Sequence, residues 1–204
     1  EILEKQKSVE VLYKNKGGMI LKKLKFFGLG GQGVVTAAKI FSTAVSLYED
    51  MHAITIPAYG HERRGAPVFT DVVMNEDPIL VNSFVYVPDI VLVMDETIID
   101  KHIDVSEGKH DDTILVLNSE NPTTLERYQS MYNFKETFYV DGTHIAVETI
   151  GKGIPNGSML GALAATGVVG IDSIEKAIKD MFDAKAGEMN AAAARKAYKE
   201  VKKL

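Results

Sequence analysis

This sequence predicts an α/β fold, and three observations carry the prediction. Two short continuous apolar runs, Asp89–Met94 and Thr113–Leu117, have the composition of strands buried on both faces. Helical periodicity alternates with such runs along the chain, the pattern of a mostly parallel sheet covered by helices. A third apolar run, Leu24–Phe27, leads into Gly28-Leu29-Gly30-Gly31-Gln32-Gly33, and a helical pattern starts directly behind it. Strand, glycine turn and helix N-terminus in this order, with the spacing Gly28-x-Gly30-x-x-Gly33, make the sheet Rossmann-like and the architecture three-layer α/β/α. The chain has 204 residues and is 46% hydrophobic, enough for one large domain with a sizeable core. The reading is a single α/β domain over 19–204 and an N-terminal extension or linker over 1–18, which is charged and ends in Lys14-Asn15-Lys16-Gly17-Gly18. Ser8–Tyr13 alternates weakly, as an edge strand would.

The elements follow in order. Val34–Leu47 reads as the first helix, with Val34, Ala37, Ala38, Phe41, Ala44, Val45 and Tyr48 on one face. His52–Ile56 is the second strand. It runs into the loop Pro57–Pro67, rich in Gly and Pro and carrying Arg63 and Arg64. Val68–Met74 alternates as a strand, Asn75–Pro78 is a turn, and Ile79–Val85 is expected to pair back as an antiparallel hairpin. Asp95 follows the next strand as a helix N-cap, the alternative being a catalytic acid. Asn121-Pro122-Thr123-x-x-Glu126 reads as a helix start with a capping box at Thr123 and Glu126. Thr137–Val140 is a further strand, and Asp141-Gly142-Thr143 opens a helix through Ile150. After Pro155 and Asn156 comes a helix of small residues, in which Gly161, Ala162, Ala164 and Ala165 permit close packing. Asp172 is expected to cap Ser173–Phe182 with Glu175 as its box partner. An amphipathic helix over Glu188–Leu204 ends the chain.

Composition excludes several classes. A net charge of −5 and a pI near 5.6 argue against a nucleic-acid partner. No apolar run approaches the roughly 18 residues of a membrane span, and Glu1–Gly18 lacks the apolar core of a secretory signal. A cytoplasmic location is expected. Cysteine is absent, so this chain has no disulfide, no reactive thiol and no thiolate ligands for an iron–sulfur cluster. His52, His61, His102, His110 and His144 are scattered without metal-ligand spacing, and no nucleophile elbow occurs. No catalytic or metal-ligating residue is assigned.

The chemistry concentrates in the glycine loop and the arginine loop. Glycines let the backbone turn sharply and a ligand approach closely, and a helix N-terminus attracts anions. Gly28, Gly30, Gly31, Gln32 and Gly33 therefore form a candidate phosphate-binding loop, a structural turn being the alternative. A nicotinamide cofactor is disfavoured. Its fingerprint needs an acid at the end of the second strand, where this chain has Pro57-Ala58-Tyr59-Gly60. Thr36 has two readings, a ligand contact or a local backbone bond. Arg63 and Arg64 suit phosphate or carboxylate, or an ion pair with a partner subunit. Asn156 caps its helix or offers its amide to a ligand.

Three motifs in register then resemble one family. They are Gly28-x-Gly30-Gly31-Gln32-Gly33-Val34-x-Thr36-Ala37, Pro57-x-Tyr59-Gly60-x-Glu62-Arg63-Arg64-Gly65-Ala66-Pro67, and Asn156-x-x-Met159-Leu160-Gly161-Ala162. Together they resemble the gamma subunit of 2-oxoacid:ferredoxin oxidoreductases, a module that also forms one domain of single-chain pyruvate:ferredoxin enzymes. The resemblance spans about residues 20–183. It implies a complex that decarboxylates a 2-oxoacid oxidatively on thiamine diphosphate, passes electrons through iron–sulfur clusters to ferredoxin, and in most members yields an acyl-CoA. Thiamine diphosphate, Mg and the clusters are expected on alpha, beta and ferredoxin-like delta subunits. This chain is expected to be inactive alone, to support assembly and to contact coenzyme A. Carried over by motif, the cofactor-facing residues are Gly28, Gly30, Gly31, Gln32, Gly33, Thr36, Tyr59, Arg63, Arg64 and Asn156, with no catalytic role for His61 or Glu62. An independent nucleotide-dependent dehydrogenase and a ligand-free scaffold are the alternatives.

Overall fold

A computed structural model describes residues 21–58 and 64–204. The expected extension over 1–18, including the weak strand pattern at Ser8–Tyr13, lies outside the described residues, as do Tyr59 and Arg63. Among the described residues, seven strands form one sheet in the order β2-β3-β1-β4-β5-β6-β7. β1 (Lys22–Leu29) pairs in parallel with β4 (Ile90–Val93), β4 with β5 (Ile114–Asn118), and β5 with β6 (Glu136–Val140). On the other side of β1 lies β3 (Pro67–Asn75), antiparallel to it from Lys22↔Met74 to Leu29↔Pro67. β2 (His52–Pro57) pairs antiparallel with the outer edge of β3. β1, β2, β4, β5 and β6 thus run one way, and only β3 and β7 (Lys202–Lys203) oppose them.

Side chains alternate across the strands, and the two faces carry separate cores. Leu24, Phe26, Val72, Leu92 and Val116 face α1 (Val34–Tyr48), α4 (Asn156–Ala164), α5 (Ile171–Met181) and α6 (Ala184–Glu200). Phe27, Val91, Val93, Leu115 and Leu117 face a short 3-10 helix (Glu96–Lys101) and α2 (Pro122–Tyr132). This is the expected three-layer arrangement. α4 is buried along its whole length. Gly161 permits this, because a Cβ there would lie 1.9 Å from the Ala194 carbonyl oxygen of α6.

Several local expectations are corrected. Ile79–Val85 forms no strand. Both edges of β3 are already taken by β1 and β2, so no free edge remains for a hairpin partner. The backbone of Val85 bonds side chains instead: its N–H donates to Asp71 Oδ2 (2.7 Å) and its carbonyl accepts from Lys25 Nζ (2.9 Å). The antiparallel hairpin of the fold is β2–β3. At α2 the cap is Asn121, whose side chain accepts from Thr123 N–H with Pro122 behind it, so Thr123 caps nothing. α5 starts after Gly170, whose N–H donates to Glu49 Oε1 (2.9 Å). Asp172 and Glu175, inside α5, hold Arg195 of α6 rather than capping. The last helix begins at Ala184, capped by Asp183, and stops at Glu200. Residues beyond it cross to the sheet edge, where Lys202 and Lys203 pair with Tyr139 and Phe138 of β6.

Candidate functional site

The parallel strands end on one edge of the sheet, where α/β folds place their ligands. At the end of β1 the chain turns through Gly31 (φ 98°) and Gly33 (φ 78°) into α1. Both angles are left-handed, a region that glycine enters without a Cβ penalty. Among the described residues no side chain caps α1, and first-turn N–H groups of a helix lack intrahelical acceptors. They form a ready anion cradle. Gln32 shapes the loop. Its Oε1 accepts from Leu29 N–H (2.7 Å) and its Nε2 donates to Asp95 Oδ2 (2.5 Å). Asp95 meanwhile caps the 3-10 helix by accepting from Thr97 N–H (2.9 Å), as expected for an N-cap.

The arginine segment returns against the same loop. Gly30 N–H donates to Ala66 O (2.8 Å) and Gly65 N–H to Gly30 O (3.1 Å). Arg64 is exposed, and its Cγ lies 3.8 Å from where a Cβ on Gly31 would stand. Thr36 sits in the first turn of α1, half-buried. Asn156 reaches the loop from α4, so close that a Cβ on Gly33 would fall 2.7 Å from Asn156 Nδ2. It is the first residue of α4, not the residue before it, and its Oδ1 accepts from Gly157 N–H (2.8 Å). Gly28, Gly30, Gly31, Gln32, Gly33, Thr36, Arg64 and Asn156 therefore converge on one corner.

Beside this corner lies a crevice of about 390 Å³ whose lining includes Asp95, Glu96, Asn118, Ser119, Glu120 and Asp141. Asn118 ties three elements together there. Its Nδ2 donates to Met94 O and Thr143 Oγ1 (both 2.8 Å), and its Oδ1 accepts from Gly142 N–H (2.8 Å). Ser119 bonds Glu96, and Asp141 caps α3 (Gly142–Ile150). Apart from Asp95 and the helix start at Asp141, these crevice residues were not singled out from sequence. Their signal was their place, directly after β4, β5 and β6. The crevice carries four carboxylates and no cation in its lining, which suits it poorly to a polyphosphate. The anion-compatible surface is the glycine loop with Arg64. Nor does the edge fit a nicotinamide site. β3 separates β2 from β1, so the end of β2 is not the neighbouring position from which an acid reaches a ribose.

Comparison with known proteins decides the family. A family model described as pyruvate ferredoxin/flavodoxin oxidoreductase matches residues 23–200. The chain belongs to this family. Within it, the chain is 42% identical to the common gamma subunit of the pyruvate/ketoisovalerate oxidoreductases of Pyrococcus furiosus, over 87% of this chain and 96% of that protein. It is 43% identical to pyruvate synthase subunit PorC of Methanothermobacter thermautotrophicus, over 89% and 97%. The crystal structure of pyruvate oxidoreductase subunit PorC from Thermotoga maritima superposes with a TM-score of 0.77 at 33% identity, covering 90% of this chain and 98% of that one. The chain is thus a gamma-type subunit of a pyruvate/2-oxoacid:ferredoxin oxidoreductase, a component of a multi-subunit complex. The 2-oxoglutarate:ferredoxin oxidoreductase of Magnetococcus marinus, solved with 2-oxoglutarate, coenzyme A and succinyl-CoA, shares the fold at 15% identity and a TM-score of 0.66, this chain matching 30% of its length. No helix among the described residues is long and apolar enough to cross a membrane.

Proposed function

We propose that this gamma-type subunit works in the cytoplasm, with residues 19–204 as one domain. Its partners are alpha and beta subunits that hold thiamine diphosphate and Mg and a ferredoxin-like delta subunit that holds iron–sulfur clusters, with ferredoxin as the electron acceptor. The chain supports assembly and is inactive alone. Its lack of cysteine and the use of Asp95, Asn118 and Asp141 in caps and ties support that division of labour. At its glycine-loop corner the chain contacts coenzyme A. Coenzyme A, when bound, supplies the thiol that takes the acyl group. This chain's residues would hold its phosphates: the first-turn N–H groups of α1 and the side chains of Arg63 and Arg64. The carrying observation is the N-terminus of α1, which no side chain caps among the described residues, with the arginine segment tied to its loop by two backbone hydrogen bonds.

The test is Arg63→Ala with Arg64→Ala in the assembled complex. Loss of a charge-assisted phosphate contact is worth about 2 kcal/mol, so the KM for coenzyme A rises roughly tenfold or more with assembly intact. The rival reading is a structural brace, favoured by Gln32 bonding within the loop and by Asn156 packing directly against Gly33. It expects an unchanged KM.

A further inference from the structure

Two helix N-termini meet at the glycine-loop corner. α1 starts at Val34, and Ala37 N–H is the first to reach an acceptor in its ladder, Gly33 O (2.8 Å). The N–H groups of Val34, Val35 and Thr36 precede that ladder. α4 starts at Asn156, and Met159 N–H opens its ladder on Pro155 O (2.8 Å). The two starts touch, since Asn156 packs against Gly33 with no room for a Cβ between them. Each helix start carries roughly half a positive charge, so bringing two together is unfavourable unless an anion lies between them. Neither helix carries an acidic side chain in its first turn.

Asn156 supplies a second, independent observation. It is only 5% exposed. Its Oδ1 accepts from Gly157 N–H within its own helix, which turns Nδ2 toward Gly33. Nδ2 donates no hydrogen bond among the described residues. A buried amide with idle donors is costly and calls for an explanation. Capping does not explain it. An aspartate here would accept the same bond from Gly157 and would complement the helix dipole as well; only the amide adds a donor. Access is open too. The sealed unpaired side-chain atoms among the described residues belong to Thr70, Asp71 and Asn75, whereas Asn156 Nδ2 lies against Gly33, which is partly exposed.

We infer that Asn156 Nδ2 and the two helix starts form one phosphate seat, in which the amide and the first-turn N–H groups of α1 donate to the same tetrahedral anion. The inference rests on the coenzyme A reading above and adds α4 to it. The seat consists of neutral donors, and the arginine segment brings charge to it from the exposed side.

Asn156→Asp is the deciding variant. It keeps the size of the side chain and the acceptor for Gly157 N–H, and it replaces the donor by a carboxylate oxygen that repels an anion. The isotope-labelled full chain is titrated with inorganic pyrophosphate and followed by NMR. In the parent chain the Asn156 side-chain amide and the backbone amides of Val34, Val35 and Thr36 should shift together, with a single dissociation constant. In Asn156→Asp that constant should rise at least tenfold. A folded Asn156→Asp chain with an unchanged constant overturns the seat, because that is what a purely capping role expects. A silent Asn156 side-chain amide in the parent chain overturns it as well, and this measurement needs no variant to fold. The coenzyme A reading is decided separately, by the KM of the assembled complex. Pyrophosphate binding that depends on Asn156, together with a coenzyme A KM that ignores both Asn156→Asp and the arginine pair, keeps the seat and sinks the coenzyme A reading.

Discussion

Gln32 turns a flexible glycine loop into a defined one with a single amide. Its oxygen holds Leu29 and its nitrogen holds the cap of the next element, Asp95. Gln32→Ala should leave the sheet intact, cost about 1 kcal/mol or slightly more in stability, and speed hydrogen exchange at the Leu29 amide. Unchanged exchange there would mean that the glycines alone shape the loop. Asp71 makes the opposite case, a buried carboxylate that stability alone does not favour. Its pKa is raised above its ordinary 3.8 chiefly by desolvation. A raised acid stabilises the fold when protonated, and that contribution is lost as pH climbs through the folded pKa. Replacing it by Asn should therefore give a chain at least as stable as the parent near neutrality, with the advantage shrinking as pH falls toward 4. Denaturant titrations of both proteins across that pH window measure it. An advantage that grows on acidification would contradict the assignment.

Among the elements, α4 depends most on tight packing. Every residue from Asn156 to Ala164 is buried, and Gly161 meets the backbone of α6 with no room for a methyl group. Gly161→Ala should cost about 3 kcal/mol or more, because a carbonyl cannot swing aside as a side chain can. Chemical denaturation reads this directly, and a cost within experimental error would mean that α6 is free to shift. α5 is fastened to α6 differently, by the fork of Arg195 on Glu175 and Asp172. Those carboxylates raise the Arg195 pKa further above its already high value. Arg195→Lys keeps the charge but loses the fork, and should lower stability by about 1 kcal/mol, more at low salt than at high.

For the whole molecule, the order of the strands decides which ligands are admissible. β3 lies between β1 and β2, so the edge beside the glycine loop is built from the start of β3 and the arginine segment. The isolated chain should accordingly show no saturable NADH binding in a fluorescence titration, and saturable binding would return the dehydrogenase reading. The same order removes the edge that a strand at Ile79–Val85 would have needed. That segment instead packs over Ile56 and Val73, and its Phe84 lines a cavity of about 250 Å³ beside Lys25 and Phe69.

Much of this was legible in the sequence, because the signals were local. The strand–glycine–helix turn at Leu24–Val34, the Asp95 cap, the helix start at Asp141, the buried runs of β4 and β5 and the small-residue face of α4 each lie within a dozen residues, where backbone sterics and periodicity act. The three motifs also sufficed to point to the family. What the sequence left open depends on residues far apart in it. Lys25, Asp71 and Val85 come from three separate segments, and nothing in their spacing announces that they meet. The hydrogen bond from Gly170, at the start of α5, to Glu49 spans 121 residues. Asn118 looks like any polar residue after a strand until β4 and α3 are brought to it. The sequence by itself determined the elements and the family, since turns, caps and buried runs are settled by near neighbours. The tertiary structure alone decided the strand order, the acidic crevice and the unmet carboxylate of Asp71, since these depend on which distant backbone and charge each side chain finally faces.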